Sequence, residues 1–194
     1  MPIEVEQKFH VADAAALRAR IDAAGLRPSG EVTETDSYLS HPSRDLAATD
    51  EALRVRTTAR ADGGRSVAVT FKGPRSGGPV KTRFESEFPV LASEATALEF
   101  FEKLGFGLVR RVEKRRSLFT RDEGDADRVT VTLDDVTGLG TFSEVEVVLA
   151  DGTPPGDAEQ IVDRWAERLG LETPEPRSYL EMLLGRTAED SAKK

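Results

Sequence analysis

The sequence predicts an α+β fold: an eight-stranded antiparallel β-barrel, or tunnel, with a charged interior and surrounding amphipathic helices. Stretches in which charged and apolar residues alternate recur along the 194-residue chain, and this period of two is typical of strands with one polar face. Helical segments between them carry apolar stripes that must be buried, and the apolar strand faces are the large surfaces that can receive them. The charged faces must then point away from the helices, towards solvent in an open sheet or into the lumen of a barrel. About eight strands are enough to close a barrel.

The first predicted strand, residues 3–9, illustrates the alternation. It sends Glu4, Glu6 and Lys8 to one face and three apolar side chains to the other. Taken alone, this pattern usually means that a half-buried strand turns its charges to water. Its recurrence in later strands favours a shared charged surface instead.

The first half of the chain adds one helix and further strands. Asp13 is predicted to cap the helix and Gly25 to end it. Residues 27–50 are predicted to be polar and irregular, apart from a short strand at 35–39. Two strands follow at 51–57 and 66–72, with a hairpin turn between them at 61–64.

The second half of the chain is predicted to contain four more strands and three helices. The strands cover 80–90, 109–120, 128–134 and 142–149. Ser93 is predicted to cap the second helix of the chain. Asp157 with Gln160 forms a predicted capping box for the third helix, and Ser178 with Glu181 forms one for the fourth.

Composition limits the location and the partners of the protein. A single domain at 1–185 is predicted, followed by a flexible tail at 186–194. Because cysteine is absent, disulfides and thiolate sites are excluded, and a cytoplasmic location is expected. The net charge of −8 argues against nucleic acid or an anionic membrane as a partner. No apolar run approaches the length of a membrane span.

The predicted charged face collects acidic and basic side chains from strands all along the chain. The acidic ones are Glu4, Glu6, Glu85, Glu87, Asp134, Glu144 and Glu146, and the basic ones are Lys8, Arg54, Arg56, Lys72, Lys81, Arg83, Lys114, Arg116 and Arg128. In a narrow interior, each ion needs a partner to offset its desolvation. Numerous Arg and Lys suit a chain of phosphates, and carboxylates without His or Cys suit Mg²⁺ or Mn²⁺. A metal-bound triphosphate would satisfy both sets.

These motifs resemble the CYTH proteins, also called triphosphate tunnel metalloenzymes, which include class IV adenylate cyclases and thiamine triphosphatases. The likeness covers roughly residues 1–184 and begins with the E-x-E-x-K signature at Glu4-x-Glu6-x-Lys8. Its further motifs are Asp36-x-Tyr38-Leu39, Leu53-Arg54-Val55-Arg56, Phe71-Lys72-Gly73-Pro74, Arg83-x-Glu85-x-Glu87, Lys114-x-Arg116, Leu133-Asp134-x-Val136-x-Gly138-Leu139-Gly140-x-Phe142-x-Glu144-x-Glu146 and Ser178-Tyr179. Within the family, residues 41–54 and 72–74 are most similar to the class IV adenylate cyclase branch.

The resemblance implies roles for individual residues. Glu4, Glu6 and Glu146 correspond to metal ligands, with Asp134 and Glu144 completing or supporting the site. The catalytic triphosphate clamp corresponds to Lys8, Arg54, Arg56, Lys72, Lys114 and Arg116, with Lys81, Arg83 and Arg128 as further phosphate-binding candidates. Glu85 and Glu87 either bind a second metal or pair with Arg83 and Lys81.

The predicted function is that of an enzyme using Mg²⁺ or Mn²⁺ to convert ATP to cyclic AMP and pyrophosphate. Inorganic triphosphatase or thiamine triphosphatase activity is the first alternative, and a non-catalytic polyphosphate or nucleotide sensor is the second. A homodimer is compatible with the resemblance, because class IV cyclases commonly pair. His10 and His41 lack metal-ligand spacing and are expected at the surface, while Tyr38 and Trp165 are expected to pack.

Overall fold

The computed structural model of the protein describes residues 3–75, 84–121, 128–149 and 155–192. Within these ranges the chain forms eight strands and four helices, as the predicted α+β class requires. In chain order they are β1 (Ile3–His10), α1 (Ala14–Ala23), β2 (Arg27–Ser40), β3 (Ala52–Arg60), β4 (Arg65–Lys72), β5 (Glu85–Val90), α2 (Glu94–Lys103), β6 (Gly107–Thr120), β7 (Arg128–Val136), β8 (Gly140–Leu149), α3 (Pro155–Leu169) and α4 (Tyr179–Ala192).

The strands form one antiparallel sheet that curls into a tunnel. Their order is β1-β8-β7-β6-β2-β3-β4-β5, so β1 and β5 are the edges. Within the described ranges, no backbone ladder joins these two edges. Side chains of both edge strands nevertheless line the same cavity. The predicted barrel is therefore a barrel-like tunnel with a seam between β1 and β5.

The strand register places the predicted charges on the inside. Residues directly opposed in an antiparallel pair point to the same face. Lys8 of β1 opposes Glu144 of β8, and Arg116 of β6 opposes Asp134 of β7. On the other side of the tunnel, Asp36 opposes Arg56, and Lys72 opposes Glu85. Every strand thus contributes charge to the inner face, as the period of two predicts.

Three helices pack against the apolar outer face of the sheet. The largest core cluster joins α1 and α3 to β1, β7 and β8, and includes Ile21, Val162 and Leu169 together with Val5 and Val145. Burying an aliphatic side chain of this size contributes about 1.5–3 kcal/mol. Helix α2 contributes Ala97 to a smaller cluster on β2, β3 and β4. The expected packing of Trp165 in the core is confirmed.

Helix α4 occupies a different position, at one end of the tunnel. Its Tyr179, Met182 and Leu183 pack against Val112, Val136 and Phe142. These three partners belong to the inner face, because Val112 opposes Asp36, Val136 opposes Lys114 and Phe142 opposes Asp134. The inner face is therefore charged along the tunnel and apolar where α4 closes one end.

The predicted helix caps are confirmed at three of four positions. Asp13 Oδ1 accepts a hydrogen bond from the Ala16 N–H at 2.9 Å, and Ser93 Oγ accepts one from Thr96 N–H at 3.2 Å. The capping box of α4 is complete: Glu181 N–H donates to Ser178 Oγ at 3.1 Å, and Ser178 N–H donates to Glu181 Oε2 at 2.5 Å.

The predicted cap at Asp157 is wrong. Helix α3 begins at Pro155, a residue whose fixed φ and missing N–H suit a first helical position. Asp157 therefore lies inside the first turn. Helix α4 continues to Ala192, past the start of the predicted tail at 186. The division into a domain and a tail stays a prediction.

The largest departure from the predicted elements is β2. It spans Arg27–Ser40, whereas the sequence predicted a strand only at 35–39. Proline, serine and glycine at 28–30 are turn signals in a local reading of the sequence. Pairing with β6 along almost its whole length, with register shifts near Gly30 and Leu39, keeps the segment extended. The predicted strand at 80–90 begins outside the described residues, and β5 starts at Glu85.

Candidate active site in the tunnel

A charged cavity of about 300 Å³ lies inside the tunnel. Seven strands and the start of α4 supply its walls. The lining residues are Glu6, Lys8, Asp36, Tyr38, Arg54, Arg56, Lys72, Glu85, Glu87, Lys114, Arg116, Glu144, Glu146, Ser178 and Tyr179. All six side chains of the predicted triphosphate clamp are among them, although they are separated by more than a hundred residues in the chain. The fold therefore brings them together at one site.

Arg56 and Asp36 form a bidentate ion pair on one wall of the cavity. Arg56 Nε donates to Asp36 Oδ1 at 2.6 Å, and Arg56 Nη2 donates to Oδ2 at 2.8 Å. Arg54 Nη1 donates to the same Oδ2 at 3.3 Å. Burial by itself would raise the pKa of Asp36, but Arg54 and Arg56 hold that pKa far below its usual value. Asp36 is consequently a carboxylate at any ordinary pH.

Arg116 forms a matching ion pair on β6, the strand next to β2. Its Nε donates to Asp134 Oδ1 at 2.8 Å, its Nη2 donates to Asp134 Oδ2 at 2.6 Å, and Nη2 also donates to Glu144 Oε2. Burial would lower the pKa of Arg116, but Glu144 and Asp134 raise it well above its usual value. Two of the predicted metal-site carboxylates are thus engaged by one guanidinium.

Glu34 joins the two walls. Its Oε2 lies 3.1 Å from Lys114 Nζ and 3.3 Å from Arg56 Nη1, although this buried oxygen accepts no hydrogen bond of good geometry from the described part of the chain. Burial acts to raise the pKa of Glu34, but the charges of Lys114, Arg56 and Arg116 lower it below its usual value. The ion pairs therefore continue from Arg54 to Arg116 as one network.

Tyr179 forms the floor of the cavity beneath two lysines. Lys8 Nζ lies 4.2 Å from the ring centroid, and Lys114 Nζ lies 5.4 Å from it, distances at which a cation is attracted to an aromatic face. The phenol donates a hydrogen bond to Asp134 Oδ2 at 2.9 Å. Burial and the charges of Glu144 and Asp134 raise the pKa of Tyr179, so it remains a neutral donor.

Glu85 and Glu87 lie on β5, directly opposite Lys72 and Thr70 of the neighbouring strand β4. Lys72 Nζ lies 2.6 Å from Glu85 Oε2, and Thr70 Oγ1 donates to Glu87 Oε2 at 2.7 Å. Their predicted partners, Lys81 and Arg83, lie outside the described residues. The side chains of Glu4 and Arg128 also lie outside them.

The donor set fits a hard divalent cation shared with a substrate. Glu6 and Glu146 are directly opposed in the β1–β8 ladder and both line the cavity, which places two like charges roughly 5 Å apart at their Cβ atoms. Among the described side chains, no three acidic or His residues are close enough to hold an ion by themselves. Mg²⁺ is commonly held by one or two carboxylates together with substrate phosphates and water. Glu6 and Glu146 meet that requirement.

Sequence reasoning missed Glu34 and Asp36 as site carboxylates. Tyr38 packs against the α4 cluster as expected, and it also borders the cavity. All three lie two residues apart on β2, and Asp36 and Tyr38 line the cavity. Their spacing was an available signal, since the period of two is the one that identified the other strands. It was not used because the surrounding segment was predicted to be irregular.

Both histidines have polar contacts away from the lining of the tunnel cavity. His10 Nε2 lies 3.0 Å from Glu175 Oε2, and the exposed N–H of Ser43 donates to His41 Nδ1 at 3.1 Å. Neither histidine belongs to a group of metal ligands among the described side chains. None of the described helices has the length and apolar character needed to cross a membrane.

Comparison with known proteins identifies relatives over most of the chain. It is 33% identical over 149 residues to MJ0240 of Methanocaldococcus jannaschii, provisionally named an adenylate cyclase, covering 77% of this chain and 79% of that protein. It is 30% identical over 181 residues to the adenylate cyclase CyaB of Aeromonas hydrophila, covering 91% and 86% respectively. The structure of PH1819 from Pyrococcus horikoshii superposes with a TM-score of 0.84 at 34% identity, covering 94% of this chain and 99% of that one.

The model of the CYTH domain matches residues 2–179, which include all eight strands and the first residue of α4. The match spans every strand that lines the charged cavity. The resemblance inferred from the sequence motifs is thereby confirmed, and the chain belongs to the CYTH family.

Proposed function

We propose that this protein is a divalent-metal-dependent enzyme acting on a triphosphate, and that its reaction is the class IV adenylate cyclase reaction, from ATP to cyclic AMP and pyrophosphate. The observation that carries the proposal is the convergence of six basic side chains and paired carboxylates on one 300 Å³ cavity. The similarity to relatives named adenylate cyclase supports the cyclase reaction. The absence of cysteine supports a cytoplasmic location.

The basic side chains would hold the phosphate chain in one orientation. Arg54, Arg56 and Lys72 lie on one wall, and Lys8, Lys114 and Arg116 lie on the other. The buried Nε of Arg54 has no hydrogen-bond acceptor among the described residues, so it could donate to a phosphate oxygen. Planar guanidinium groups bind phosphate oxygens bidentately, which fixes geometry as well as charge. These residues therefore position the triphosphate for in-line reaction.

Charge that develops on the departing pyrophosphate would be stabilised by the same residues. The ribose 3′ oxygen forms a bond to the α-phosphorus while the bond from that phosphorus to the pyrophosphate oxygen breaks, and the hydroxyl proton is lost. Mg²⁺ or Mn²⁺, held by Glu6 and Glu146 with Glu4 as a further ligand, would neutralise phosphate charge. Because Glu144 and Asp134 raise the pKa of Arg116 well above its usual value, the positive charge of Arg116 is fixed in place.

Triphosphatase activity is the alternative supported by the same cavity. The clamp recognises a triphosphate whether the attacking oxygen belongs to ribose or to water. With inorganic triphosphate or thiamine triphosphate, the tunnel would direct water at the terminal phosphorus. A sensor that binds without reaction would use the basic residues but would have little use for the opposed Glu6 and Glu146.

Product analysis distinguishes these reactions. The purified protein is incubated separately with ATP, inorganic triphosphate and thiamine triphosphate in Mg²⁺ or Mn²⁺. We expect cyclic AMP and pyrophosphate from ATP, and we expect Glu6→Ala to abolish turnover while largely sparing binding. Orthophosphate without cyclic nucleotide would replace the cyclase proposal with triphosphatase activity. Binding without any product, unchanged in Glu6→Ala, would indicate a sensor.

A further inference from the structure

Glu34 is a buried carboxylate that lies behind two cations of the proposed triphosphate clamp. It is 7% exposed and stands directly opposite Lys114 in the ladder between β2 and β6. Lys114 Nζ and Arg56 Nη1 lie 3.1 and 3.3 Å from its Oε2. Both cations border the tunnel cavity, whereas Glu34 is not among the residues that line it. Glu34 therefore contacts the clamp from behind, away from the space that a ligand would occupy.

Glu34 makes fewer hydrogen bonds than the neighbouring buried carboxylates. Asp36 and Asp134 each accept three hydrogen bonds from described side chains. Glu34 Oε1 accepts one, from Arg56 Nη1 at 3.3 Å, and its Oε2 accepts none of good geometry from the described part of the chain. Hydrogen bonding thus offsets little of the free energy needed to bury this carboxylate. What Glu34 supplies to the site is mainly its negative charge.

The two cations that contact Glu34 have other compensating contacts. Arg56 forms the bidentate pair with Asp36. Lys114 Nζ lies 3.9 Å from Asp134 Oδ2 and 5.4 Å from the centroid of the Tyr179 ring. Neither cation would be left uncompensated in the protein interior without Glu34. A role as a structural counter-ion is therefore a weak explanation for the presence of this carboxylate.

The other carboxylates of the site differ from Glu34 in what they can contact. Those that border the cavity are Glu6, Asp36, Glu85, Glu87, Glu144 and Glu146, and they can meet a bound metal ion directly. Asp134 does not border the cavity, but its charge is matched by the bidentate hydrogen bonds from Arg116. Glu34 has neither access to a metal ion in the cavity nor a bidentate partner, so its charge is the least compensated of the set.

The charge of Glu34 would act on a phosphate bound to the clamp. Burial acts to raise the pKa of Glu34, but the charges of Lys114, Arg56 and Arg116 lower it below its usual value, so the group is ionised at neutral pH. A phosphate oxygen bound to the far side of Lys114 Nζ would lie roughly 6 Å from the carboxylate. Buried charges at such a separation are screened little by salt. Glu34 would therefore repel the phosphates that its neighbours attract.

We propose that Glu34 limits the affinity of the tunnel for linked phosphates and thereby allows the product to leave. The inference rests on the proposed function, and it adds a residue that regulates the same site. Cyclisation of ATP and hydrolysis of inorganic or thiamine triphosphate all leave a product with two linked phosphates, which the clamp would also hold. Tighter binding of substrate and product alike lowers KM without raising kcat, and product release limits turnover in many enzymes. Glu34 acts through Lys114 and Arg56, and it takes no part in the chemical step.

Substitutions that remove or keep the charge of Glu34 test this role. Glu34→Gln removes the charge and keeps the shape of the side chain, and Glu34→Met removes it with an unbranched apolar chain. Glu34→Asp keeps the charge. Glu31→Gln is the matched control, because Glu31 lies on the same strand and is exposed. Binding of pyrophosphate in Mg²⁺ is measured by calorimetry, and kcat and KM are measured for the triphosphate that the wild type turns over.

Glu34→Gln and Glu34→Met should bind pyrophosphate about tenfold more tightly than the wild type, with a lower KM and a lower kcat. Glu34→Asp and Glu31→Gln should show no such gain. Loss of a merely structural contact would weaken binding, so a gain in affinity separates the two roles.

Unchanged or weaker binding in both charge-removing variants would overturn the inference, and so would an equal gain in Glu31→Gln or Glu34→Asp. A gain in affinity without a fall in kcat would overturn the role in product release. In each of these cases the proposed function stands. If the wild type binds no pyrophosphate and turns over no triphosphate, the proposed function itself fails.

Discussion

Asp36 shows how one buried carboxylate holds two arginine side chains of the tunnel in place. It accepts hydrogen bonds from Arg54 and Arg56, so both guanidinium groups are compensated within the folded protein. Burying two such cations without a partner would cost several kcal/mol each. A triphosphate that binds this wall offers the guanidiniums new acceptors while Asp36 keeps their planes fixed. If the tunnel binds a triphosphate as proposed, Asp36 would act as a positioning residue for the clamp.

Titration of Glu175 should change the free energy of unfolding. Arg177 Nε and Nη2 donate to it at 2.9 and 2.6 Å, and its own N–H donates to Lys8 O at 2.7 Å. The hydrogen bonds from Arg177 outweigh burial and lower the pKa of Glu175 to about 2. A carboxyl whose folded pKa is depressed stabilises the fold above its unfolded pKa and loses that contribution as pH falls through the folded value.

We therefore expect Glu175→Gln to lower the free energy of unfolding at pH 6 and to have a shrinking effect as pH falls from about 4.5 towards 2. Urea denaturation at pH 6 and at pH 3 measures this difference. Glu172→Gln, at an exposed position nearby, is the control. A difference between wild type and Glu175→Gln that is independent of pH would contradict the assignment.

At the scale of elements, α4 is held in place by ionic contacts outside the tunnel. Arg75 Nη2 donates to Glu181 Oε1 of α4 at 3.0 Å, and Arg75 Nη1 donates to Pro176 O at 3.1 Å. The same side chain binds Asp50, which has a positive φ of 53°, a conformation that costs a non-glycine residue free energy. Arg75 thus ties the ends of β4 and α4 to the β2–β3 connection.

We expect Arg75→Met to loosen α4 selectively. Backbone amide exchange in residues 179–192 should become about tenfold faster, because local opening no longer has to break the charged hydrogen bonds, while exchange in β7 and β8 stays unchanged. Hydrogen exchange measured by mass spectrometry resolves the segments. Arg164→Met, at an exposed position of α3, should leave α4 unchanged. Faster exchange across the whole sheet would show that Arg75 supports global stability instead.

The elements differ in how well the sequence predicts them. Caps at Asp13, Ser93 and Ser178 are local, because the side chain bonds a backbone group three residues away, and the sequence identifies all three. Strand β2 and the docking of α4 depend on distant partners. Pairing with β6 extends β2 through Gly30. Val112 and Val136 contact α4 because the folded tunnel places them next to that helix. Residue spacing alone carries no information on such contacts.

At the scale of the whole molecule, the inward direction of the charges was predictable and their pairing was not. Alternation fixes which face a side chain joins, so the clamp residues could be collected before the strand order was known. The partners of Arg56 and Arg116 depend on the order β7-β6-β2-β3. Strand order follows from long-range packing, which explains why the ion pairs of Asp134 and Glu144 with Arg116 could not be predicted.

Because the proposed ligand contacts strands from both halves of the sheet, it should stabilise the fold as a whole. At a concentration one hundred times its Kd, a ligand specific for the folded state contributes about 2.7 kcal/mol. Inorganic triphosphate with Mg²⁺ should therefore raise the melting temperature by several degrees, and EDTA should reduce the shift. Differential scanning calorimetry with sulfate at equal ionic strength provides the control. An equal shift with sulfate would indicate only general anion binding.

The seam between β1 and β5 determines which contacts hold the two edges of the sheet together. Within the described ranges these strands share no backbone ladder, so moving them apart breaks no main-chain hydrogen bond between them. Separating the two strands would require side-chain contacts to rearrange. Lys8 on β1 and Glu85 on β5 both border the cavity. Separating the two edges would therefore leave intact the seven ladders that join neighbouring strands.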